Sequence, residues 1–167
     1  PNARVRRVYN GLDLSRFPVR AEKADSTAVP LLLFVGRLVE KKGVGDLLTA
    51  IALLRQQGRE LRLRIVGGGE LEPTLRDQVT QLGLQDRVDF AGPASQEELV
   101  AQHLASADLF VLPAIVAADG DRDGLPTTLL EAMACGVPVI TTDIPGIDEA
   151  TPHGIAGVLV PPGQPHA

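Results

Sequence analysis

Aromatic side chains are scarce: Phe, Tyr and Trp together make 3% of the chain, with one Tyr and no Trp. That scarcity argues against a platform on which nucleic-acid bases stack, and against a lectin groove that holds sugars on aromatic rings. Cysteine is nearly absent as well. The single Cys135 can close no internal disulfide and cannot build a zinc knuckle, so a reducing, cytoplasmic compartment is the expectation. Basic charge is not in excess, because 16 Lys and Arg stand against 21 Asp and Glu, a net −5. No nucleic-acid partner is expected, although a local basic pocket can still hold a small anion. No apolar run approaches the length of a membrane span and no leader pattern is read at the start, so no direct membrane segment is expected.

What is present suits one globular core. The 167 residues are 44% hydrophobic and 22% charged, which supports a single compact domain and excludes a disordered or fibrous chain. Short runs rich in Leu, Val and Ile read as strands at Leu31–Gly36, Leu61–Gly67, Val88–Phe90, Leu109–Pro113, Val137–Thr141 and Gly157–Val160. Helical spacing separates them. Leu47, Leu48, Ile51 and Leu54 share one helix face, and Leu71, Leu75, Val79 and Leu82 share another, with Pro73 near its start. A third helix is expected over Gln96–Leu104, opened by Ser95 with Glu98 at capping-box spacing. Strands alternating with helices predict an α/β, three-layer Rossmann-like domain on a six-stranded parallel sheet.

The ends differ in kind. Residues 1–27, with VYNGLDLSRF and the polar Arg20–Thr27, read as a linker and polar lead-in to a domain over 28–167. The closing PPGQPHA continues neither helix nor strand. The final helices of a doubly wound domain are not found, so the chain reads as a piece of a longer one.

Ligands of open parallel sheets bind beyond the carboxyl ends of the strands. Three strand exits carry unusual residues here: Gly36-Arg37 through Lys42-Gly43, Gly67-Gly68-Gly69, and Ala114–Pro126. At the third, Pro126 suits the first turn of a helix, and the amides of Thr127 and Thr128 form a phosphate seat. Glu131 follows on the same face one turn deeper, where a carboxylate can accept from a ribose diol. Asp123 precedes the helix beside Gly124, and Gly136 reads as a left-handed cap. Without a ligand, Pro126 merely starts a packed helix and Glu131 is a solvated charge.

Arg37 and Lys42 together suit a diphosphate, one as a directional fork and the other as a point charge. As surface charges they would only solvate a turn. The three glycines lack the spacing of a dinucleotide fingerprint, and a tight turn explains them nearly as well as a flat ligand does. Asp119, Asp121, Asp123 and Gly124 imitate a calcium loop, but Leu130 stands where the bidentate acid belongs. No metal is expected. Asp123 and Glu131 as a glycosidase pair would need sugar-binding aromatics that the chain lacks. His103, His153 and His166 share no ligand spacing and, with Cys135, read as structural.

The strings VYNGLDLSRF, FVGRLVEKKG, IVGGGELEPTLRDQV, VDFAGPAS, ADLFVLPA and DGLPTTLLEAMACGVPVITTDIPG resemble the C-terminal, donor-binding half of a GT-B glycosyltransferase. Within that fold they are similar to the retaining family four (group one) enzymes, in order and over nearly the whole chain. The resemblance implies a nucleotide-sugar partner, such as a UDP- or GDP-sugar, and transfer with retained anomeric configuration, without metal or other cofactor. It implies that Arg37 and Lys42 hold the diphosphate, and that Asp123 stands at the first acid of an E-x7-E motif and binds the donor sugar. Glu131, the second acid, would bind the ribose. Ala91 and Gly92 would border the base, and Thr127 and Thr128 would meet the phosphates. Gly36, Gly68, Gly124 and Leu125 complete the expected donor site. Asp123 is one methylene shorter than the family Glu, and the N-terminal acceptor domain is missing, so the isolated chain is expected to transfer nothing. A GT-B nucleotide-sugar epimerase or a non-catalytic nucleotide-binding module are the alternatives. A parent with a lipid-linked acceptor would sit at the inner membrane face.

Overall fold

The computed structural model describes residues 11–20, 29–151, 154 and 157–167. Residues 1–10 and 21–28, which hold much of the expected lead-in, and His153 lie outside the described residues. Strands β1 (Leu31–Val35), β2 (Arg62–Val66), β3 (Val88–Gly92), β4 (Leu109–Leu112), β5 (Val139–Thr142) and β6 (Val158–Val160) form one sheet in the order β3-β2-β1-β4-β5-β6. Every pairing is parallel. Helices α1 (Val44–Gln56), α2 (Glu72–Gln81), α3 (Gln96–Glu98) and α4 (Thr127–Ala134) make the crossovers.

Parallel strands covered on both faces read as unbroken apolar runs, and β1 shows why. Four of its five residues are buried, and Leu33 and Phe34 are wholly so. Leu63, Ile65, Phe110 and Leu112 join them from the neighbouring strands. Each such burial contributes roughly 1.5–3 kcal/mol. Helix α1 meets this core with Leu47, Leu48 and Ile51, while Leu54 stays partly exposed; α2 contributes Leu75 and Val79.

The third helix spans the expected Gln96–Leu104 but changes type within it. Ser95 and Glu98 close the capping box: Ser95 Oγ accepts from the Glu98 amide at 3.2 Å, and Glu98 Oε2 from the Ser95 amide at 2.9 Å. After one turn the chain widens into a π-helix over Leu99–Leu104. Apolar spacing alone does not separate α from π turns. The fourth helix closes as the sequence suggests. Gly136 takes φ 72°, its amide donates to Met133 O at 3.0 Å, and the Val137 amide donates to Ala132 O at 3.0 Å. These are the paired bonds of a Schellman cap. The cap and Pro138 delay β5 to Val139, two residues later than the apolar run suggests.

Part of the lead-in is fastened to the domain. Phe17 is buried, the Arg20 amide donates to Cys135 O at 3.0 Å, and the Arg20 guanidinium donates to Ala107 O. Among the described residues no helix is long and apolar enough to cross a membrane.

Candidate functional site

The strand order reverses between β1 and β4, where a doubly wound sheet leaves a crevice at its carboxyl edge. The exits of these two strands are laced together. After β1 the chain makes a 3-10 turn, Glu40–Lys42. The Ile115 amide donates to Lys41 O at 2.8 Å, and Glu40 Oε1 accepts from the Ala118 amide at 3.0 Å. Gly43 adopts φ 65°, and a Cβ there would collide with the Pro113 carbonyl. Only glycine permits that approach.

On this frame two lysines face two acids. Lys42 Nζ lies 2.5 Å from Asp123 Oδ2, with both side chains nearly buried, at 11% and 12% exposure. Lys41 Nζ lies 2.9 Å from Asp121 Oδ2 and 3.7 Å from Asp123 Oδ1. The Lys41 hydrogen bond holds the Asp121 carboxyl below its ordinary range, and Asp121 in turn raises the Lys41 ammonium. Arg37 is exposed and makes no ion pair among the described residues. Its charge acts weakly on both Lys41 and Asp121. Among the described residues no three His, Cys, Asp or Glu side chains gather as a metal would require. The acids of this loop face ammonium groups instead.

The glycines divide by what they touch. A Cβ on Gly67, at φ 131°, would strike Gly36 O, and one on Gly69 would strike Leu38. These two serve backbone packing between the first two strand exits. Gly68 is open, its nearest neighbour being Glu72 Oε2 at 3.9 Å. Gly36 leaves room for the Lys42 stem, whose Cε would lie 3.6 Å from an added Cβ. At the end of β3, Ala91 is exposed and Gly92 O accepts from the Gly67 amide at 2.8 Å.

At α4, Pro126 is the N-cap, one residue earlier than expected, because its ψ of 123° is extended rather than helical. It offers no capping side chain, and the Leu129 amide donates back to Pro126 O at 3.2 Å. Thr127 and Thr128 therefore open the helix with amides that have no acceptor within it, at the positive end of the dipole. Leu125 is half-buried just before them. Gly146, at φ 104°, brings the chain after β5 within 3.2 Å of the Gly124 carbonyl, measured from an added Cβ.

Glu131 is not a solvated charge. It is 7% exposed, and its Oε2 has no hydrogen-bond partner. Burial pushes its carboxyl above the ordinary range, against smaller opposing pulls from the Gln96 amide and the Arg16 guanidinium. Cys135 is a buried free thiol, raised first by burial and then by the Glu131 charge. His103 is held low by burial, with Arg64 adding to the effect.

Sequence reasoning brought Lys42 and Asp123 to one edge, and missed Lys41, Asp121 and Gly43. Lys41 and Asp121 pair across 80 residues, and no local pattern marks such a contact. The Gly after Lys42 was a usable signal, since glycine opening a helix marks a left-handed turn.

A Rossmann-like domain with a lysine–aspartate cluster at its switch point is the class this geometry defines. Comparison with known proteins gives the family. The model of the glycosyl transferases group 1 family matches residues 16–167, and the chain belongs to that family. It is 38% identical, over its full length, to the amylovoran biosynthesis glycosyltransferase AmsK of Erwinia amylovora, covering 40% of that protein. It is 36% identical over 96% of its length to a Mycobacterium tuberculosis GDP-mannose-dependent alpha-(1-6)-phosphatidylinositol monomannoside mannosyltransferase, covering 43% of it. Among solved structures, Anabaena Alr3699/HepE in complex with UDP and glucose superposes with a TM-score of 0.76 at 27% identity, over 95% of this chain and 43% of that one. The lipopolysaccharide outer core galactosyltransferase WaaB superposes at 0.77 with 28% identity, over 94% of this chain and 42% of that one. The fold is thus one Rossmann-like half of a GT-B glycosyltransferase. The chain spans about 40% of the length of the curated relatives it matches.

Proposed function

We propose that this chain is the donor-binding half of a retaining glycosyltransferase that takes its sugar from a nucleoside-diphosphate sugar. The observation that carries the reading is the Lys42–Asp123 pair, which joins the exit of β1 to the loop before α4 at the switch point. Support for the donor class comes from relatives: one is named GDP-mannose-dependent, and a structural neighbour was solved with UDP and glucose.

In the reaction, the bond between the sugar's anomeric carbon and the diphosphate oxygen breaks, and its electron pair leaves with the diphosphate. The acceptor oxygen bonds to that carbon on the same face and gives its proton to the departing diphosphate oxygen. Charge therefore develops on the diphosphate. Arg37, Lys42 and the Thr127 and Thr128 amides supply fixed positive charge and dipoles that stabilise it, and this reading needs no metal for the task. Lys42 exchanges Asp123 for a phosphate oxygen when donor binds. Asp123, so released, accepts from donor sugar hydroxyls, and Glu131 accepts from the ribose. Ala91 and Gly92 border the base, while Gly36, Gly68, Gly124 and Leu125 leave the backbone open to the donor. The acceptor is held by an N-terminal domain of the parent, which works in the cytoplasm, at the inner membrane face if its acceptor is lipid-linked.

The test is made on the parent protein with UDP-glucose and GDP-mannose as donors, following the anomeric proton of the product by NMR. A glycoside with the donor's anomeric configuration supports the proposal. An inverted glycoside overturns the retaining mechanism, and an epimerised nucleotide-sugar overturns transfer.

A further inference from the structure

Asp123 turns its two carboxylate oxygens to different lysines. Lys42 Nζ lies 2.5 Å from Oδ2 and Lys41 Nζ lies 3.7 Å from Oδ1, and among the described residues no other cation pairs with it. Lys41 is nearly as buried as the two groups beside it, at 14% exposure. An ammonium sunk this far does more than solvate a turn, since lysines are seldom buried unless paired.

The two lysines are neighbours in sequence but are held differently. Lys42 Nζ reaches Asp123 through one short contact, whereas Lys41 Nζ meets both oxygens of Asp121, at 3.2 Å from Oδ1 and 2.9 Å from Oδ2. The backbone on both sides of that second pair is tied down as well. Lys41 O accepts from the Ile115 amide, and Asp121 O accepts from the Ala117 amide, both at 2.8 Å. Asp119 Oδ1 accepts from the Asp121 amide at 2.8 Å. Lys41 is therefore the anchored ammonium of the cluster, and Lys42 is the one with a single contact to give up.

That asymmetry matters when Lys42 exchanges Asp123 for a phosphate oxygen. A carboxylate at 12% exposure then loses its close partner, and a nearly buried charge left alone is costly. Lys41 is already beside the other oxygen of the same carboxylate, and a small turn of either side chain brings the pair to hydrogen-bond distance. We propose that Lys41 is a positioning residue for donor binding, which takes over Asp123 as Lys42 moves to the diphosphate and keeps that carboxylate charged and oriented. This rests on the nucleotide-sugar reading above and adds to it a residue that touches no part of the donor. Without Lys41, Lys42 leaves only by stranding Asp123, so binding weakens although no contact to the ligand is lost.

The experiment is a double-mutant cycle on this chain, titrated by calorimetry with UDP and with GDP. Lys41→Met is expected to weaken binding of the preferred nucleotide about ten-fold, the scale of a hydrogen bond to a charged group. Lys41→Arg, which keeps the charge, is expected to stay within about three-fold of wild type. In an Asp123→Asn background there is no carboxylate to strand, and Lys41→Met is expected to change the affinity by less than about two-fold. A lost phosphate ligand or a loosened loop would weaken both backgrounds alike. Melting temperatures show that each variant is folded, and if Lys41→Met is not, Lys41→Gln takes its place. Should wild type bind UDP or GDP while Lys41→Met binds equally well, or while its loss is the same with Asp123 and with Asn at that position, the Lys41 role is overturned and the nucleotide reading stands. Absence of binding by wild type overturns both.

Discussion

Lys42 on the exit of β1 and Asp123 on the loop before α4 are 81 residues apart in sequence and 2.5 Å apart in space. Both side chains are nearly buried, and each partly neutralises a charge the other would leave exposed to a low dielectric. Removing one partner strands the other. Asp123→Asn and Lys42→Met are each expected to cost roughly 1–3 kcal/mol in urea unfolding, with the double variant costing less than their sum. Toward UDP the two should diverge. Lys42→Met weakens binding about ten-fold or more, whereas Asp123→Asn, which frees the ammonium and removes a nearby negative charge, binds as tightly as wild type or more so. Calorimetry on the two variants measures the difference.

The Glu131 carboxyl is raised by burial, and the sign of its pH dependence follows. A carboxyl raised in the folded chain favours the protonated form there, so its stabilising effect is whole below the unfolded value and is lost as pH rises through the folded one. Glu131→Gln is expected to melt higher than wild type near neutral pH, with the gap closing in acid. Ribose hydroxyls that donate to the carboxylate favour its ionised form. UDP binding is therefore expected to release a proton in mildly acidic solution, measured by calorimetry in buffers of different ionisation heat, and affinity rises with pH.

The glycine run after β2 separates fold from site. Gly67→Ala would drive a methyl into Gly36 O at a φ of 131°, and is expected to destabilise by about 3 kcal/mol or more. Gly68→Ala has open space around it and is expected to keep the melting temperature within a few degrees. Its effect falls instead on nucleotide affinity, which is expected to drop several-fold. Thermal unfolding and a UDP titration on the same two variants make the comparison.

Much of this was legible in the amino-acid order. Leu31–Val35 and Leu109–Leu112 announce buried parallel strands because both faces of each are covered, and Gly136 announces a cap because a left-handed turn favours glycine. What stayed hidden depends on distant contacts. Nothing near Lys41 says that Asp121 will meet it, and nothing near Glu131 says that its carboxyl will be buried. Pro126 was placed one residue too deep, since proline's fixed φ serves an N-cap and a first helical residue alike. The π turns of Leu99–Leu104 share the apolar spacing of an α-helix closely enough that only the structure tells them apart.

The proposed diphosphate seat joins Arg37, Lys42 and the first amides of α4. Titrating this chain with UDP and GDP in a calorimeter, in buffer containing a chelator, tests it most directly. Saturable heat with one of them, abolished by Arg37→Ala while the melting temperature holds, is the predicted result. No heat from either nucleotide at millimolar concentration, or equal heat from the Arg37→Ala chain, would contradict it.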